Sequence, residues 1–305
     1  MLSDMNGRIN RFYWKLMQRP AFCSPPVIDG VSRALALVCP KSAGAPADVD
    51  ADAERLAGQI RERGYTEPLE LLSAEQIDAM RAYFEGQLCH DPWRPHLGAF
   101  KPHEIPSDET NMGWYSDRQI INAPHMLDAL AHPLVLGTIG RVFGCKPTLG
   151  FLNCWWAYPE RAGAKGSQRF HRDFDGLRFI KLFIYLTDVD EDGGPHVYVA
   201  NTHDRPELYH PRAMSDEEVA AAFGRERFVT LTGRRGMCFL ADTRGVHKGL
   251  LPQKSERLAV IAQYALWRSA HQPDRPMRPV PPGLYDPYVM RRFLEERVVA
   301  PAIPG

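Results

Sequence analysis

The hydrophobic period of this chain changes from helical to strand-like at Gly144, and that change limits what it can fold into. Before it, apolar residues recur at helical spacing. Ser73 and Gln76 form a capping-box signature ahead of Ile77, Met80 and Phe84, residues 53–63 carry Leu56 and Ile60 between charges, and 124–143 present a broad apolar face closed by Gly144. After it come short stretches rich in β-branched and aromatic residues, at 148–158, 177–189, 195–200, 227–232, 236–241 and 257–267. Turn clusters at 163–166, 190–194 and 233–236 separate them. Short strands with turn punctuation and no long helices between them predict an antiparallel sandwich or barrel, the jelly roll included. The interruption at 204–226 contains a helical patch at 215–223, and a last amphipathic helix is predicted over 287–298.

Composition narrows the partners. Lys+Arg and Asp+Glu both number 37 in 305 residues, so no basic excess supports nucleic-acid binding. With 44% hydrophobic and 24% charged residues the chain reads as globular, and no run approaches the roughly 18 apolar residues of a membrane span. Six scattered cysteines without a CxxC pair suit reduced thiols, and a cytoplasmic location is expected. The expected organisation is an N-terminal arm and linker at 1–51, a single domain at 52–270 whose helical layer runs to about 145, and a C-terminal extension at 271–305. The arm mixes Arg8, Arg11, Tyr13, Trp14 and Lys15, as a docking helix or loose segment would. No repeats occur, and nothing indicates an oligomeric state.

The informative chemistry lies in a few residues. His171 and Asp173 alternate in a strand-like segment and so share a face, while Arg172 points away. A neutral imidazole and a carboxylate are two of three ligands for a divalent transition metal, and His247 is the third candidate. An antiparallel barrel brings such distant positions together. Two His and one carboxylate on one side of an octahedral ion leave the other side open, as in non-haem Fe(II) oxygenases. Arg257 shares its strand face with Ala259 and Ile261, and a guanidinium at the base of an apolar pocket suits a carboxylate held by two parallel hydrogen bonds. Asp175 also falls on the His171 face, but a bend after Asp173 would exclude it from the ligand set.

His171-Arg172-Asp173, the segment Lys181 to Val189, the segment Asp192 to His203, and His247 with Arg257 resemble the phytanoyl-CoA dioxygenase family. Gly64-Tyr65 and Leu71 to Ala79 are similar to its N-terminal strand-and-helix opening, so the resemblance spans roughly residues 52–268. It implies a double-stranded β-helix (a jelly-roll, cupin-like core) flanked by N-terminal helices and a C-terminal helix. It also implies an Fe(II)- and 2-oxoglutarate-dependent dioxygenase that uses O2 and releases succinate and CO2 while oxidising, usually hydroxylating, a small organic substrate. Under it His171, Asp173 and His247 hold iron, Arg257 pairs with the distal carboxylate of 2-oxoglutarate, and Phe183 packs beside the cosubstrate where the family commonly has Trp. A hydrogen-bond partner for the cosubstrate falls near Cys154, with Asn153 and Trp156 beside it. Asp173 argues against halogenation, since halogenating relatives have a small residue there. Asn201 replaces a family Gly and tolerates the left-handed conformation of that turn.

Blander roles are expected elsewhere. His196 and His203 should bond within their loop and turn, Arg178 and Lys181 should face solvent, and Arg244 is either a substrate contact or a salt-bridge partner. Trp156, Tyr185 and Arg244 are the candidates for the substrate wall, and 90–114 and 204–226 the candidates for wall and lid. A different class fits the same metal ligands: a cupin-like isomerase or ligand-binding protein that does not use O2 and has no need of Arg257. No feature names the substrate.

Overall fold

A computed structural model of the chain describes residues 12, 15–16, 19, 24–42, 44–159, 166–267, 269 and 271–297. Arg8, Arg11, Tyr13 and Trp14 of the arm, Cys23, positions 163–165 of the first turn cluster and the chain beyond 297 lie outside them.

The N-terminal half carries α1 (Pro25–Val38), α2 (Asp50–Arg63), β1 (Leu69–Glu70), α3 (Ala74–Gly86), β2 (Cys89–His90), β3 (Ala99–Phe100), β4 (Met112–Trp114), α4 (Asp117–Asn122), α5 (Met126–Leu130) and α6 (Pro133–Phe143). The capping box forms at α3: the Ser73 side chain accepts from the Gln76 N–H, and the Gln76 side chain accepts from the Ser73 N–H. The predicted helix at 124–143 is two helices. Pro133 has no N–H for the ladder and disfavours helical geometry in the residue before it, so the chain restarts there with His132 as cap. By length and composition 126–143 would also pass for a membrane span, yet Leu130, Val135 and Ile139 are fully buried in the core of this fold.

The C-terminal half supplies β5 (Thr148–Ala157), β6 (Phe179–Tyr185), β7 (His196–Val199), α7 (Asp216–Phe223), β8 (Phe228–Leu231), β9 (Met237–Ala241), β10 (His247–Gly249), β11 (Arg257–Ala265), β12 (Arg278–Val280), α8 (Pro287–Met290) and β13 (Leu294–Glu296). Eight strands form one antiparallel sheet in the order β1-β9-β6-β11-β5-β4-β2-β3, and β10-β7-β8 form a smaller antiparallel sheet. This is a jelly-roll core with helices flanking it.

Strand alternation divides the interior in two. Cys154, Trp156, Leu182, Ile184, Leu258 and Val260 project from one face of the large sheet into the core shared with the helices. Phe183, Tyr185, Phe239 and Ala259 project from the other face and meet Tyr198 and Leu231 of the small sheet. The site lies in this second space.

Two further details depart from the sequence expectation or complete it. The C-terminal helix stops at Met290 instead of running to 298. The N–H groups of Met277 and Arg278 donate to the Phe293 carbonyl at 2.9 and 3.1 Å, and β13 then pairs in parallel with β12. Phe293 is fully buried, so these long-range bonds and that burial override the local helical period. Arg172 does point away from its neighbours. Its guanidinium donates to the carbonyls of Thr202, Leu208, Glu207 and Arg244 at 2.7–3.1 Å, and so ties the 204–226 insert to the barrel.

Candidate metal centre

The segment around His171 is pinned rather than laddered. His171 and His247 exchange both backbone hydrogen bonds at 3.0 Å in an isolated antiparallel bridge, and the Asp173 N–H donates to the Thr243 carbonyl at 3.0 Å. Directly opposed residues of an antiparallel pair project to the same side, so the two imidazoles meet with centroids 4.2 Å apart. His171 Nε2 lies 3.5 Å from Asp173 Oδ1 and His247 Nε2 lies 3.4 Å from Asp173 Oδ2. One ligand atom from each residue falls within 4.8 Å of the others, close enough for all three to hold one ion.

The supporting shell orients both rings. His171 Nδ1 is 2.9 Å from the Arg169 carbonyl, and His247 Nδ1 is 2.9 Å from the Gly245 carbonyl. A carbonyl only accepts, so each Nδ1 carries the proton and each Nε2 lone pair faces the cluster. Lys181 donates to Asp173 Oδ2 at 2.7 Å and reaches Asp175 Oδ2 at 3.0 Å, while His271 Nε2 sits 3.2 Å from Asp175 Oδ1. Burial alone would raise the Asp173 carboxyl, yet the Lys181 ammonium holds it well below the ordinary carboxylate range. It is therefore a carboxylate, as metal ligation requires.

The cluster opens on a cavity of about 180 Å³ between the sheets. Register builds its walls in rows: Tyr185, Ala259 and Trp155 are neighbours across β6, β11 and β5, followed by Phe183, Ile261 and Asn153. Arg257 begins β11 on the same face and is only 5% exposed. It donates to the Gly194 carbonyl and stands 6.0 Å above the Trp155 ring. Its Nε has no partner, and no carboxylate pairs with it among the described residues. Burial pushes its pKa down, opposed by Tyr185. His196 is buried in the same cavity, where burial first, with the nearby Arg257 charge, holds it well below the ordinary histidine value.

The structure thus brings His171, Asp173, His247, Arg257, Phe183 and Tyr185 to one cavity. Three sequence candidates lie elsewhere. Cys154 and Trp156 oppose Val260 and Leu258, and face the helical core, where the Trp156 indole donates to the Tyr115 hydroxyl at 2.9 Å. The cosubstrate-contact reading of Cys154 and the substrate-wall reading of Trp156 therefore fail. Asn153 and Trp155 take the cavity face of β5 instead. Arg244 is locked to Asp242 away from the cavity, so it is the salt-bridge partner and not a substrate contact.

Lys181 and His196, expected at the surface and within a loop, also line the cavity. Lys181 shares the parity of Phe183 and Tyr185, which was the available signal, and burial among acids replaces the solvent-facing role expected of it. Asp175 is held by Lys181 and His271, outside the ligand set. Met112 and Trp114 of the 90–114 stretch line the cavity, and Trp114 stacks on Trp155 at 5.7 Å, whereas no residue of 204–226 lines it.

Two imidazoles and a carboxylate suit Fe(II) with open positions, and the buried guanidinium, without a carboxylate partner among the described residues, suits a dicarboxylic cosubstrate. A jelly roll with these two features belongs to the class of iron-dependent enzymes that consume a 2-oxo acid, and Fe(II), 2-oxoglutarate and O2 are the cofactor and cosubstrates the site fits. The chain matches the phytanoyl-CoA dioxygenase family over residues 60–251, and it belongs to that family.

No curated protein matches it. Similar solved structures include the α-ketoglutarate-dependent carbocyclase SnoK from nogalamycin biosynthesis, 20% identical over 70% of this chain and 85% of that one, with a TM-score of 0.48. The epimerase SnoN from the same biosynthesis is 20% identical over 70% and 83%, with a TM-score of 0.49. HygX from Streptomyces hygroscopicus, with nickel, 2-oxoglutarate and hygromycin B bound, is 15% identical over 70% and 89%, with a TM-score of 0.49.

Proposed function

We propose that the protein is a 2-oxoglutarate-dependent dioxygenase that hydroxylates a small organic substrate, releasing succinate and CO2. The observation that carries this reading is Arg257, a buried guanidinium without a carboxylate partner among the described residues, on the wall of the cavity that the two His and one Asp enter. In this reading His171, Asp173 and His247 hold iron, Arg257 pairs with a carboxylate of 2-oxoglutarate, and Phe183 packs beside it. Bound iron supplies the O2 chemistry, with 2-oxoglutarate as the electron donor.

The chain's own residues position and shield. Lys181 fixes the Asp173 carboxylate through a charge-assisted bond, and Asp175 balances the ammonium. Met112, Trp114, Trp155 and Ile261 form an apolar wall that keeps water from the reacting bond. A cavity of about 180 Å³ admits the cosubstrate and only the reacting part of a larger molecule. Tyr185 is a substrate-wall residue on this reading, although its hydroxyl donates to the Leu231 carbonyl at 2.9 Å and leaves mainly the ring for contact.

The test is succinate formation from 2-oxoglutarate with iron and air, across pools of small molecules, with product masses read alongside. A gain of one oxygen atom supports hydroxylation. Loss of two hydrogens or unchanged mass with succinate formed points to cyclisation, desaturation or epimerisation. Metal binding without O2-dependent succinate returns the cupin-like alternative. Asp173→Ala should abolish coupled turnover while the melting temperature changes little. Full oxidation by that variant would overturn the metal assignment.

A further inference from the structure

His196 opens β7, and its backbone pairs with Gly249, two residues beyond the ligand His247. Gly249 in turn lies against the Arg257 guanidinium. His196 therefore stands where the strand carrying a metal ligand meets the anion-binding arginine. Its ring stacks on His247 with centroids 5.3 Å apart and an interplanar angle of 24°, and it tilts against Phe183 at 4.6 Å.

It lines the cavity at 5% exposure, yet its Nε2 has no hydrogen-bond partner among the described residues. Packing does not require that nitrogen, since Leu or Phe would fill the space without the desolvation cost of a buried polar atom. The Arg257 Nε shares the same condition on the same cavity. Two unpaired polar groups beside one cavity point to one shared polar ligand.

We propose that His196 is a cosubstrate-binding residue, donating a hydrogen bond from Nε2 to an oxygen of 2-oxoglutarate. This rests on the reading of the site as 2-oxoglutarate-dependent. The bond goes from a neutral N–H to a carboxylate or 2-oxo oxygen, and the stack on His247 and Phe183 fixes the direction of the ring.

The test measures 2-oxoglutarate affinity by calorimetry on the full chain loaded with Zn(II), a redox-inert ion, so no turnover is needed. His196→Phe keeps the stacking ring and removes the N–H. It should weaken 2-oxoglutarate about tenfold with Zn(II) affinity unchanged. His196→Gln restores an N–H and should return most of that loss. His196→Leu provides a second variant without the N–H should the Phe variant melt early. Wild-type affinity in the Phe or Leu variant, or a Gln variant no better than Phe, overturns the assignment of His196 alone. Failure of the wild-type protein to bind 2-oxoglutarate with Zn(II) present overturns the site reading and this assignment with it.

Discussion

Arg244 and Arg257 are both buried guanidiniums, 1% and 5% exposed. They differ in what faces them. Arg244 donates to both carboxylate oxygens of Asp242, at 2.6 and 3.0 Å, and reaches Asp204 at 3.2 Å. Arg257 meets a carbonyl, an aromatic face and the cavity. A buried charge balanced inside the chain belongs to the scaffold, because removing its partner strands the other charge. A buried charge that nothing inside balances is tolerable when a ligand of opposite sign completes it. The Arg244–Asp242 pair also flanks Thr243, whose carbonyl holds the Asp173 N–H, so this scaffold charge shapes the metal centre from behind.

The largest expected effect is on stability. Arg244→Met leaves Asp242 buried without its cation and should cost about 3–5 kcal/mol in denaturant unfolding. Arg257→Met should behave oppositely, with an equal or slightly raised melting temperature. Its 2-oxoglutarate dissociation constant should rise by on the order of thirtyfold or more with Zn(II) bound. Equal destabilisation by the two variants would end the contrast.

A pH profile sharpens it. Burial alone would raise the Asp242 carboxyl, but Arg244 holds it below its ordinary value. A depressed carboxyl contributes stability that is present above its unfolded pKa, about 4, and is lost as pH falls through the lower folded value. Acid unfolding should therefore steepen below about pH 4, and Asp242→Asn should be less stable at neutral pH with a flatter acid limb. Smallest is Trp155→Leu, which removes the ring 6.0 Å from Arg257 and should weaken 2-oxoglutarate only a few-fold.

Much of the site was legible because strand alternation is local. His171 with Asp173, and Arg257 with Ala259 and Ile261, keep the shared faces their spacing predicts. Asn201, expected to tolerate a left-handed turn, has φ +57°. The errors fall where alternation is silent about direction. In β5 the run Asn153, Cys154, Trp155, Trp156 is apolar enough on both faces that either parity could line a cavity. Lys181 shows the complementary failure. Its charge suggested solvent, although its parity with Phe183 placed it inside, and only the acids that fold around it make that burial tolerable.

By itself the sequence determined the capping box at Ser73, which residues of each strand travel together, and the main helices before Gly144 and the main strands after it, though not the short β1 to β4. All of these follow from bonds and sterics within a few residues. Only the tertiary structure decided which face of β5 meets the cavity, that His171 opposes His247, and that Arg244 finds Asp242 while Arg257 finds no acid among the described residues. Those outcomes depend on strand register and on charges brought close by folding, and a one-residue slip in register would reverse every one of the faces.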